Sequence, residues 1–162
     1  MDTKNYNTIV ATAKLSARDV LRAELISARQ TKISNLETER ENLTKEANDY
    51  LARLKKDIAR NAYKLSKLED ANPDAEDIKK YCKTDDEFSN KEIERTTKQL
   101  AEETEAINKM ITEQKEGIAK IESGETKVSL ARLNEIANNF VQDAVKAGLL
   151  KSAEAVTKTK LS

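Results

Sequence analysis

The sequence predicts an all-α protein: a long antiparallel coiled-coil hairpin forming a stalk, with a small helical head built from the N- and C-terminal segments. Three observations carry that expectation. Aromatics make up 4% of the 162 residues and charged side chains 36%, with only 3 Gly and 1 Pro, a composition of long helices rather than of a compact aromatic core. From Asn90 to Glu122 the chain reads Ile93, Thr97, Leu100, Thr104, Ile107, Ile111, Gln114, Ile118 and Ile121, in alternating steps of four and three, the seam of a helix packing on another helix. Residues 35–69 and 90–122 are matched in length, each spanning roughly 50 Å as a helix at about 1.5 Å per residue.

The N-terminal segment starts ambiguously, since Thr8–Ala13 suits a short strand or a first helical turn. Ser16 is the first clear helix start, with Asp19 at N3 and a staple of Leu15 on Val20. Val20, Leu21, Leu25 and Ile26 then form a broad apolar face. A second capping pattern, Ser34-Asn35-Leu36-Glu37, either restarts a helix or lies within a continuous one, because no Gly or Pro interrupts residues 1–72. Onward the apolar steps are Ile33, Leu36, Leu43, Ala47, Tyr50, Leu54, Ile58, Leu65 and Leu68, with Arg40 in one seam position. The frame shifts near Tyr50–Leu54, the mark of a stutter that locally unwinds a supercoil.

Around Asp70 the pattern stops. Asn72 caps a short helix with Pro73 at N1, acids first and lysines last, as the helix dipole favours. Two capping boxes follow, Thr84-x-x-Glu87 and Ser89-x-x-Glu92, one of which should start the long helix. That helix ends at Gly124, suited to a left-handed C′ position. A further helix at about 126–147 has the widest apolar face of the chain, and Leu133, Ile136, Phe140 and Val141 are its expected buried centre, in the head core or a dimer interface. The whole is expected as a single elongated domain: head at 1–34 and 123–162, stalk helices at 35–69 and 90–122, and a tip elbow at 70–89. In the stalk seam, Thr97, Thr104 and Gln114 weaken the interface but can set its register. Gly117 costs about 1 kcal/mol against Ala within a helix.

Composition excludes several functions. There is no His, so no His general base, no Cys/His dyad and no zinc site with the usual ligands. No catalytic residue, cofactor or metal is expected. Lys+Arg and Asp+Glu are 29 each, which argues against a general nucleic-acid or membrane-surface binder. The two head segments each carry six basic and three acidic residues, while residues 85–125 carry six and twelve, and these are read as solvated faces. No run of 18 apolar residues spans a membrane, the N-terminus lacks a signal-type apolar region, and the lone Cys82 makes no internal disulfide, so a cytoplasmic protein is expected.

The candidate sites are few. Asp85-Asp86-Glu87 lacks the alternation and central Gly of a calcium loop and is read as helix-start charge. Glu102, Glu103 and Glu105 form a solvated face. Lys55, Lys56 and Arg60 could meet phosphate, but Asp49 and Asp57 lie among them. The tip stands out: Ile78, Tyr81 and Phe88 lie where little core is expected, and aromatics are favoured interface anchors. Two readings follow, closure of the hairpin end or a protein contact. Closure is preferred, because so short a turn needs apolar residues to hold its angle. In composition alone the chain resembles compact helical inhibitors encoded by phages. The expected function is a non-enzymatic protein-binding protein that regulates or inhibits a larger, unidentified partner and forms a homodimer. The alternative is a structural coiled-coil scaffold or assembly factor.

Overall fold

The computed structural model describes residues 3–147, with side chains from residue 12 onward apart from residue 14. It contains three helices: α1 (Thr3–Ser66), α2 (Ala75–Glu122) and α3 (Leu130–Lys146), with no strand among the described residues. Residues 148–162 of the expected head lie outside them. The protein is an all-α helical hairpin in which α1 and α2 pack closely. No described helix is long and apolar enough to cross a membrane.

Helix α1 is continuous for 64 residues. Thr8–Ala13 is helical, and neither Ser16 nor Ser34 starts a new helix. A capping box stops a helix only if the cap residue leaves helical geometry, and without Gly or Pro nothing forces that. Hydroxyls inside the helix turn back on it instead: Thr31 donates to the Ser27 carbonyl at 3.0 Å and Thr38 to that of Ser34 at 3.0 Å. The staple does not form, and Leu15 is 62% exposed. Helix α2 likewise runs unbroken through both capping boxes, so the expected elbow of residues 70–89 shrinks to the connector between Ser66 and Ala75. Pairing along the hairpin therefore shifts: Asn61 meets Asp85 and Asp86, and Arg40 meets Asn108. The ends of the connector do follow the sequence. Asn72 Oδ1 accepts from the Asp74 N–H at 2.9 Å, with Pro73 between them.

The chain divides into two compact units, Met1–Ile33 with Glu113–Ser162, and Ser34–Thr112. In the first, Leu133, Ile136 and Ala137 of α3 pack on Ala17 and Leu21 of α1, with Leu25 alongside, and Val141 packs on Ala13. Arg132 reaches Glu24 at 3.3 Å across the same pair of helices. Phe140 departs from expectation at 37% exposed, and Val128 and Leu130 are exposed as well. Among the described residues the two core clusters join α3 to α1, and one facing helix covers a narrower stripe than the apolar face α3 offers. Helix α2 ends as its sequence implies. Gly124 has φ 79°, its N–H donates to the Ile121 carbonyl at 3.2 Å, and the Glu125 N–H donates to that of Lys120 at 3.0 Å, the paired bonds of a Schellman motif.

Gly117 has a packing reason that its helix position conceals. A methyl group there would overlap the guanidinium of Arg29, which lies across the helix at this point. That guanidinium donates to Gln114 Oε1 at 3.1 Å. The glycine makes the notch that admits a long cationic side chain into the α1–α2 seam.

In the second unit the seam is thinly apolar and crossed by polar contacts. Leu54 and Ile107 are buried, while Leu43, Ala47, Leu100 and Thr104 are half-buried. Thr97 lies outside the seam, exposed, and Thr96 is the half-buried residue. Arg40 donates to Asn108 at 2.6 Å, Tyr50 to Glu92 at 3.1 Å, and Asn61 Nδ2 to Asp85 and Asp86 at 2.7 and 2.9 Å. Asn61 is only 3% exposed. As α1 numbers rise the α2 partners fall, which is antiparallel pairing, and a buried polar residue in a seam, here Asn61, fixes register at some cost in stability.

Candidate functional site

The closed end of the hairpin carries an open concavity, and its walls follow from how α1 stops. Helix α1 has no glycine stop. Ser66 Oγ donates to the Tyr63 carbonyl at 2.7 Å, and the Lys67 N–H is shared between the carbonyls of Tyr63 (3.2 Å) and Lys64 (3.3 Å). The last turn thus tightens while its carbonyls stay satisfied. The Asn72 N–H donates to the Glu69 carbonyl at 3.0 Å, and the Ala75 N–H to that of Asn72 at 3.0 Å. The turn is therefore held by its own backbone and by the Asn72 cap, not by aromatic side chains.

Apolar closure comes from smaller residues. Cys82 is fully buried at 0% and Ala75 is 6% exposed, with Ile78 and Leu68 half-buried. Against the preferred reading of the sequence, Tyr81 and Phe88 do not plug this end: they are 63% and 58% exposed. The physical reason lies in α2's rotation. Its inward positions are Ala75, Ile78, Cys82 and Ser89, and Tyr81 and Phe88, seven apart, share a face beside that row. Tyr63, 66% exposed, supplies a third aromatic from α1.

Between the helices lies an open cleft of about 730 Å³ lined by Tyr63, Lys64, Lys67, Leu68, Ile78 and Tyr81, among others, with Glu69 and Asp77 also on its wall. This falls in the volume range of sites that accept a ligand or an anchoring side chain, about 300–1,000 Å³. The Lys67 ammonium stands 5.9 Å from the centre of the Tyr63 ring, a cation–π contact that orients the ring's neighbourhood.

Of the expected contact residues, the structure brings Ile78 and Tyr81 into the cleft, while Phe88 lies two turns along α2 and does not line it. Leu133, Ile136 and Val141 are buried in the other unit as expected. Asp85 and Asp86 are not helix-start charge but mid-helix acceptors for Asn61. Glu103 accepts from Gln99 at 2.8 Å on an exposed face. Among the described residues no group of three or more Cys, Asp or Glu side chains converges as a metal site would. Two features escaped the sequence reading, Tyr63 and the buried Asn61. Asn61 stands seven residues after Leu54, a seam spacing that a search for apolar residues alone passes over. Tyr63 becomes visible only when the turn is placed at residues 67–74, which sets it opposite Tyr81. No family model, curated protein or solved structure matches the chain.

Proposed function

We propose that this is a non-enzymatic protein-binding protein that regulates or inhibits a larger partner through the closed end of its hairpin. The observation that carries the reading is the pair of exposed tyrosines, Tyr63 and Tyr81, rimming an apolar cleft whose floor closes without them. Large aromatics left in water beside a concavity cost solvation and contribute little to the fold, while in an interface they are the side chains that most often carry binding energy. The test is capture from the source cells on the immobilised full chain. One stoichiometric partner should be retained by the parent and lost from Tyr63→Ala and Tyr81→Ala, with all three proteins melting alike. Equal retention by the variants would move the contact away from this end.

A second reading, a scaffold that self-assembles, draws on Leu130 and Phe140 of α3, which stand 61% and 37% exposed. The homodimer expected with the first reading would draw on the apolar width of the same helix. Light scattering over a range of concentrations separates the two: a fixed monomer mass excludes self-assembly.

A further inference from the structure

We infer that the segment captured at the closed end is acidic and carries an apolar anchor, so that carboxylates meet a cationic stripe on α1 while the anchor enters the Tyr63–Tyr81 cleft. This rests on the protein-contact reading above and names the chemistry of the partner. Over residues 50–68, α1 and the turn after it carry Arg53, Lys55, Lys56, Arg60, Lys64 and Lys67 against the single carboxylate of Asp57. All but Lys55 follow spacings of three and four, which place Arg53, Lys56, Arg60 and Lys64 on one face across roughly 16 Å of helix, with Lys67 in the turn just beyond it. Lys64 and Lys67 belong to the cleft wall, so the stripe runs directly into it.

The stripe is poorly neutralised from within. Arg60 reaches Asp57 at 3.5 Å, both well exposed. No carboxylate among the described residues stands within ion-pair distance of Lys56, Lys64 or Lys67. A chain with zero net charge that collects lysines without ion-pair partners along the helix leading to this cleft offers a negative segment a complementary stripe, and such complementarity sets encounter rate and partner choice.

The cleft favours a polypeptide over a nucleic acid. Glu69 and Asp77 sit on its wall, where the N–H groups of a peptide can donate to them, donors that a sugar-phosphate backbone lacks. Stacking of bases on Tyr63 and Tyr81 is the competing outcome that the test must separate.

The experiment is selection of a random dodecapeptide library on the immobilised full-length protein, followed by titration of the winning peptide. A single-stranded DNA pool is titrated in parallel. Enriched peptides should carry more Asp and Glu than Lys and Arg together with an aromatic or large aliphatic residue. Tyr81→Ala, and separately the double change Lys56→Glu with Lys64→Glu, should each weaken the winner about tenfold or more, and binding should fall as salt rises. The three lysine and tyrosine sites are exposed, and unchanged melting confirms that the variants fold. Neutral or basic winners that still depend on Tyr81 overturn the acidic chemistry and leave the tip as a protein contact. Winners indifferent to Tyr81 overturn both. No enrichment overturns the acidic-segment inference, while the capture experiment decides the tip separately. DNA binding tighter than the best peptide, and lost in the same variants, replaces the acidic segment with a nucleic acid.

Discussion

Replacing Gly117 with Ala should leave stability almost unchanged in the parent but raise it by about 1 kcal/mol once Arg29 is Ala. Two effects oppose one another. Ala in place of Gly inside a helix gains about 1 kcal/mol, from lower unfolded-state entropy and better helix propensity. The new methyl group would, however, occupy the space of the Arg29 guanidinium. What it meets is the far end of a flexible side chain, so the arginine is displaced rather than the backbone. Displacement sacrifices the partly buried hydrogen bond from Arg29 to Gln114, at 3.1 Å, worth roughly 0.5–1.5 kcal/mol. The two terms nearly cancel. With Arg29 already truncated there is nothing to displace, and the full helical gain appears. Urea unfolding of the parent, Gly117→Ala, Arg29→Ala and the double variant closes the cycle, with an expected coupling of about 1 kcal/mol. Equal stabilisation by Gly117→Ala in both backgrounds would refute the notch.

The other predictions bear on the two units. Asn61→Ala should destabilise by about 2 kcal/mol in urea, because it removes a nearly buried donor shared by two carboxylates, Asp85 and Asp86. A change within error would mean that water replaces the amide without loss. Ile136→Ala should cost about 2–5 kcal/mol, while Phe140→Ala should cost less than the ~3–5 kcal/mol of a fully buried ring, since Phe140 is 37% exposed. Calorimetry that reversed this order would place Phe140 in the core. The Tyr50 hydroxyl is held above the ordinary tyrosine range, first by its hydrogen bond to Glu92 and then by burial. The folded state binds that proton more tightly, so the contribution is complete below the unfolded value of about 10 and is lost as pH rises through the folded one. Parent and Tyr50→Phe should therefore converge in urea midpoint at strongly alkaline pH, and a constant gap would show that the bond carries no linkage.

Local, repeating features were legible in the residues themselves. The spacing of Ile107, Ile111 and Ile121 marks a buried seam because helical geometry brings every third or fourth residue to one face, whatever lies opposite. Asn72, Pro73 and Gly124 mark helix ends because their constraints are intrinsic: a side chain that bonds its own backbone, a ring that fixes φ, and a missing Cβ that permits φ of 79°. Capping boxes at Ser34, Thr84 and Ser89 misled for the converse reason. Their hydrogen bonds are optional, and an uninterrupted helix with a partner along its side outweighs them.

The sequence by itself determined that the chain is helical, that α1 stops near Asp70 and α2 at Gly124, and most of the apolar stripe of each helix. Only the tertiary structure decided the register between them, and with it everything at the candidate site. Register depends on pairs distant in sequence, Asn61 with Asp85 and Asp86, Tyr50 with Glu92, and Arg29 with Gln114 over Gly117. A polar or cationic residue in a seam carries no mark of its partner until the facing helix is in place. The same register turns Cys82 inward and Tyr81 outward although they are neighbours in the chain, because successive helical residues differ by about 100° and the position of α1 selects which one is covered.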